Sequence, residues 1–171
     1  NSLPAGRLQC RYCMVLGIEE GEYDKAQAAF AQAMVICQRE NDIALEARCL
    51  ANSARVDYFH LYHQENLRKS RRAIRLATQV GDFPTLVSAN YYAANSRKYR
   101  GDLEEVRRHT QAMLEPAERL RDRELQAIAL WSNQELACLE GEWEKARDFG
   151  GRGLAVAPLD PRLLGNKIVQ E

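Results

Sequence analysis

Apolar side chains recur along this chain every three or four residues, with polar and charged side chains between them and no strand-like alternation. Leu8, Tyr12, Val15 and Leu16 share one helical face, then Tyr23, Ala26, Phe30 and Ala33, and near the far end Trp143, Ala146, Gly150 and Gly153. Leu67, Ser70, Ile74 and Ala77, followed by Leu103, Val106, Thr110 and Met113, carry the same spacing through the middle. A turn phrase opens three of these sets: Gly21-Glu22-Tyr23-Asp24-Lys25-Ala26, Gly101-Asp102-Leu103-Glu104-Glu105-Val106 and Gly141-Glu142-Trp143-Glu144-Lys145-Ala146. Glycine supplies a permissive backbone for the turn, and aromatic-x-x-alanine stacks two residues on one helical face. The anchors Tyr23, Leu67, Leu103 and Trp143 lie 44, 36 and 40 residues apart, a mean of 40. Self-similarity at that period predicts one helical hairpin used four times, an all-α solenoid.

The hairpins are expected over about 5–40, 42–80, 83–121 and 123–157, with 161–171 starting a cap or the next unit. Asn41-Asp42 and Gly81-Asp82 each end one helix and cap the next. Pro116 sits inside a predicted helix, where it removes a hydrogen bond and clashes with the preceding turn, so a break is expected close to 113–116. Gly150, Gly151 and Gly153 each cost a helix about 1 kcal/mol relative to alanine. They predict either a weak terminal helix or a face where another helix packs closely.

These residues resemble the tetratricopeptide repeat family, whose repeat is an antiparallel helix pair with a small residue, an aromatic and an alanine opening its second helix. Gly141, Trp143, Ala146 and the closing Ala157-Pro158-Leu159-Asp160-Pro161 match well, and Gly21, Tyr23, Ala26, Phe30 and Ala33 nearly as well. The third unit is a fair match; the second is poor, because His63-Gln64-Glu65-Asn66 follows no glycine. The family repeat is about 34 residues long, so these hairpins are elongated, similar to those in LuxR-type regulators and signalling ATPases. The resemblance implies a right-handed superhelix whose first helices line a concave groove, and it specifies a scaffold rather than a reaction.

Composition narrows the function. The chain is 46% hydrophobic and balances 24 basic against 24 acidic residues, which argues against nucleic acid as the main partner. It has no apolar run long enough for a membrane span and no secretory leader pattern, so a cytoplasmic protein is expected. Opening without methionine and stopping soon after Pro161, it reads as a piece of a longer protein. The charge is segregated: residues 64–108 carry a net +5, the segments before and after −2 and −3, which suits a partner with a central acidic stretch. The run Arg68, Lys69, Arg71, Arg72, Arg75 reads first as a solvated helix face.

Cys10-Arg11-Tyr12-Cys13 and His60-Leu61-Tyr62-His63 supply four residues of types that zinc accepts, but in separate units and in no structural zinc spacing. No Ser-His-Asp phrase, glycine-rich phosphate loop or paired-carboxylate motif occurs. The expectation is therefore a non-catalytic chain without metal or cofactor. Placing each first helix by its distance from the turn anchor puts Leu8, Arg11 and Val15 on the groove side in the first unit. The second contributes Asn52, Arg55, Phe59 and Tyr62, the third Ser88, Tyr91, Asn95 and Lys98, and the fourth Ile128, Trp131 and Glu135. Amides to hold an extended backbone, cations for a carboxylate and rings for side chains are what a peptide groove needs. The residues do not reproduce the carboxylate clamp of some tetratricopeptide domains. The expected function is a protein-interaction or ligand-sensing module of a larger regulatory protein, with self-assembly into homo-oligomers as the rival reading.

Overall fold

The computed structural model describes residues 3–163. Its elements are α1 (Leu3–Met14), extended by a π-helical turn Val15–Glu19, then α2 (Tyr23–Arg39), α3 (Ile43–Phe59), α4 (His63–Val80), α5 (Phe83–Lys98), α6 (Leu103–Gln111), α7 (Leu114–Arg119), α8 (Arg123–Leu139) and α9 (Trp143–Val156). Among the described residues there is no strand. The helices pack in consecutive pairs, and the pairs stack through their first helices, α1 on α3, α3 on α5 and α5 on α8. The fold is an all-α solenoid of tetratricopeptide-like hairpins.

From Tyr23 to Trp143 a new helix starts every 20 residues, so the hairpin repeats every 40. This corrects the second anchor: α4 starts at His63, not at Leu67, and the spacings are 40, 40 and 40. The shift has a local cause. Gly21, Gly101 and Gly141 turn the chain with φ near +72°, +71° and +74°, and Leu61 holds the equivalent position at +64°. With a leucine in the left-handed turn, the second hairpin lacks the glycine that marks the others. Asn41 and Gly81 turn left-handed before α3 and α5 as well, and the first helices add a cap: the carboxylates of Asp42, Asp82 and Asp122 accept from Leu45 N, Thr85 N and Leu125 N at 2.9, 3.2 and 3.1 Å, as Asp102 does for α6.

The predicted break falls at Ala112–Met113, between α6 and α7. Pro116 has no N–H for the Ala112 carbonyl, and its ring would strike it, so the helix restarts with proline in its first turn. Elsewhere, small residues let helices approach closely. A Cβ on Gly17 would lie 2.6 Å from Val56 Cγ1 and 3.1 Å from Ala26 Cβ. On α9 the glycines divide by face. Gly151 meets open space, whereas a Cβ on Gly153 would lie 2.6 Å from Leu163 Cδ2, so the helical turn Pro161–Leu163 packs closely there. The rest of the expected 161–171 segment lies outside the described residues. No helix among the described residues is long and apolar enough to cross a membrane.

A left-handed conformation costs a residue with a Cβ roughly 1–2 kcal/mol. Leu61 is 72% exposed and gives up little packing, so Leu61→Gly is expected to stabilise the protein by about 1 kcal/mol. Gly17→Ala, which drives a methyl into Val56, is expected to destabilise it by about 1–3 kcal/mol. Urea unfolding of the two variants beside the parent checks both signs.

Candidate interaction groove

The first helices bury one face against the second helices and both flanks against each other. What remains is a stripe recurring every three or four residues: Arg48, Asn52, Arg55 and Phe59 on α3, Ser88, Tyr91 and Lys98 on α5, Ile128, Trp131 and Glu135 on α8. Leu8, Arg11 and Val15 are exposed at the α1 end. Where α1, α3 and the start of α5 meet, Arg7, Leu8, Cys10, Arg11, Arg48 and Asn52 line a cleft of about 630 Å3. Asn52 Nδ2 donates to Cys10 Sγ at its base, 3.2 Å away. Arg7 lies 3.9 Å from Asp42 and Arg48 3.2 Å from Asp82. Arg11 has no carboxylate partner among the described residues.

Arg55 occupies the middle of the stripe. Its guanidinium lies 5.8 Å from the Phe59 ring centre and 5.4 Å from that of Tyr92, inside cation–π range. Its Nε is buried without a hydrogen-bond partner, and no carboxylate pairs with it among the described residues. Beyond it the rings continue, Tyr91 against Tyr92 at 4.9 Å and against Trp131 at 6.0 Å. Burial pushes the Tyr92 phenol up to about 12 against the pull of Arg55, and burial also raises Tyr91. Both phenols are therefore neutral near pH 7 and able to donate.

Several expected groove residues have other duties. Tyr62 is not on α3; the left-handed Leu61 carries it into the turn before α4, where it packs on Tyr23 at 4.7 Å. Asn95 is buried and donates Nδ2 to the Tyr91 carbonyl of its own helix at 2.9 Å, so its amide is not offered to a ligand. Lys98 and Glu135 meet at 2.8 Å and tie α5 to α8. Ser88 and Ile128 are half-buried, and Tyr91 and Ile128 also pack on a core of Val87, Met113, Ala117 and Ala129. Tyr92 and Arg48 were missed. Counting from His63 instead of Leu67 would have found Arg48, level with Ser88 and Ile128; Tyr92 stands 40 residues after Asn52 but is buried at 8% exposure.

The cysteine and histidine pairs do not converge. Cys10 and Cys13 are buried in the first core, His60 Nε2 donates to the Gly17 carbonyl at 2.7 Å, and His63 Nδ1 hydrogen-bonds with Ser96 Oγ at 3.1 Å. No cluster of three or more metal-ligating side chains with room for an ion occurs among the described residues.

The architecture defines a class, the helical-repeat solenoid, and its form is consistent with the tetratricopeptide type. Among solved structures the chain is similar to PilW, described as a widely conserved type IV pilus biogenesis factor, with a TM-score of 0.66 at 16% identity. The match covers 94% of this chain and 66% of that one, so the chain spans just under two thirds of PilW. At that identity the likeness speaks to fold alone. No family model matches the chain, and no curated protein matches it either.

A cation the fold requires can be told from one it does not by removing each. Lys69 Nζ lies 2.7 Å from Oδ2 of Asp57, which is fully buried, and stripping a buried ion of its partner costs about 3–5 kcal/mol. Lys69→Met should therefore lower the thermal midpoint sharply, whereas Arg55→Met should leave it unchanged or raise it.

Proposed function

We propose that the chain is a non-catalytic interaction module that holds an extended, acidic segment of a protein partner along the stripe of its first helices. The observation that carries this reading is Arg55, a half-buried cation stacked between Phe59 and Tyr92 with no carboxylate of its own among the described residues. Burying a cation without an anion costs free energy, and an incoming aspartate or glutamate offsets that cost with a charge-assisted hydrogen bond. The arginine-lined cleft toward α1 extends the same sign of charge, while Tyr91 and Trp131 offer ring faces on the other side. Stiff aromatic anchors beside an arginine are the residue types that dominate binding energy at interfaces.

In a larger regulatory protein, a segment spanning three hairpins would favour one curvature of the solenoid and so report its presence to attached domains. PilW, which shares the fold, is described as a type IV pilus biogenesis factor; the partner here is identified only by its chemistry. One observation favours self-association instead. Phe59, Tyr99 and Leu139 are equivalent across three hairpins and are 49%, 66% and 50% exposed, forming an apolar edge that a second copy could cover.

Selection from a displayed peptide library separates the two. The parent is expected to enrich a motif containing Asp or Glu, and Arg55→Ala with Tyr91→Ala to weaken the selected peptide by at least about tenfold while keeping its helical circular dichroism. No enrichment by the parent, together with a mass that rises with concentration in sedimentation, would replace the groove reading with self-association.

A further inference from the structure

The basic run on α4 contains two kinds of cation. Arg68 pairs with Glu65 at 2.7 Å, Lys69 with Asp57 at 2.7 Å, and Arg72 with Glu46. Arg71 makes no hydrogen bond or ion pair among the described residues. It lines a cleft of about 400 Å3 between α4 and α6, together with Arg97 from α5, Arg108 and His109 from α6, and an apolar part made by Leu67, Ile74 and Ala112. The one acid in the lining, Glu105, is paired with Arg108. Arg97 reaches Asp102 through Nη1 at 3.3 Å, but its Nε is buried with no partner. His109 Nδ1 donates to Asn90 Oδ1 at 2.8 Å. Burial, then Arg108, Arg97 and Arg71, pull the imidazole down to about 4, so near pH 7 it adds no positive charge of its own.

The repeat shows that the fold does not demand this arrangement. At the positions of Arg97 and His109, 40 residues away, the second hairpin has Asp57 and Lys69, which neutralise each other. The first has Gly17 and Ala29, and the fourth Ala137 and Phe149. Asn90 stands where the other hairpins have Cys10, Leu50 and Leu130. In one hairpin of four, neutral or self-neutralising positions have become an arginine, a histidine and an amide, facing a further unpaired arginine from α4.

We propose that this cleft binds a small organic phosphate, its phosphoryl group held by Arg71 and Arg97 and its organic part lying on Leu67, Ile74 and Ala112. Guanidinium forks match phosphate oxygens and donate to them in pairs. Arg108 keeps Glu105 and Arg97 keeps Asp102, which leaves the unpaired Arg71 and the buried, unpartnered Nε of Arg97 to receive the phosphoryl oxygens. A volume of about 400 Å3 falls within the roughly 300–1,000 Å3 typical of small-molecule sites. The site faces away from the first-helix stripe, on the side of α4 and α6, so it stands whether or not a peptide binds there.

The test is isothermal titration with phenyl phosphate, inorganic phosphate and benzoate, with the His109 ring signals followed by NMR. Phenyl phosphate is expected to bind and to shift those signals, and inorganic phosphate to bind about tenfold more weakly. Arg71→Gln and Arg97→Gln should each weaken phenyl phosphate by about tenfold or more without lowering the thermal midpoint. Absence of phenyl phosphate binding to the parent at millimolar concentration, or equal binding to Arg71→Gln, which is exposed and leaves the core intact, would overturn the proposal. Benzoate binding as tightly as phenyl phosphate would overturn the assignment to phosphate.

Discussion

A helix that restarts every 20 residues is the constraint on which the rest of this structure depends. A single hairpin cannot bury its own apolar face, so each must present the same face to its neighbours. A fixed 40-residue beat secures that, because chemically equivalent positions then return to the same place on successive units. Left-handed residues in the turns and aspartate caps on the helices that follow hold the phase. Small residues such as Gly17 and Ala26 set how closely the helices approach. Once the phase is fixed, a free stripe on the first helices and clefts between the second helices follow from geometry, and the side chains placed there decide what each can bind.

The fold was legible from short phrases because they encode that phase directly. Glycine, an aromatic and alanine at fixed offsets mark a turn and the first face of a helix, and the first and fourth hairpins show all three. The second hairpin hid for physical reasons. Leu61 takes a backbone conformation that normally calls for glycine. Asn66 and Ser70 fill buried positions that hold Ala26 and Phe30 one hairpin earlier, and Asn66 is accommodated there by donating to the Ala54 carbonyl at 2.8 Å. The apolar spacing therefore locked onto Leu67, four residues late. Four residues are slightly more than one helical turn, so Arg55 and Phe59 remained on the exposed side while Arg48 dropped out. Burial of Asn95 and the commitment of Lys98 to Glu135 were not legible, because spacing gives the face of a side chain but not its partner.

Charge repeats the lesson at the level of the whole chain. A net charge of zero conceals a strict local sorting. Lys69 neutralises a buried aspartate, Lys98 and Arg107 tie neighbouring hairpins through Glu135 and Glu140, and several other pairs lie within one helix. Exposed pairs of the last kind contribute little stability. Their effect is to remove those cations from the surface available to a partner. Arg11, Arg55 and Arg71 belong to the arginines that keep their charge uncompensated among the described residues, and each of these three borders a cleft or the stripe.

A repeat protein offers an internal control that a unique fold lacks, since each unit shows what the architecture requires at a given position. By that standard the third hairpin departs most. The Pro116 break follows from backbone chemistry alone and leaves Met113 and Ala117 buried in the same core. The exchange of Asp57 and Lys69 for Arg97 and His109 has no such account, because it replaces a neutral pair with a cation and a histidine that stays uncharged only by giving up its proton. Gly17 with Ala29 and Ala137 with Phe149 show that the fold is content with no charge there at all. Asp102 answers one end of the Arg97 guanidinium, but the Arg97 Nε stays buried without a partner, at a cost in desolvation that an anion arriving from outside the chain would offset.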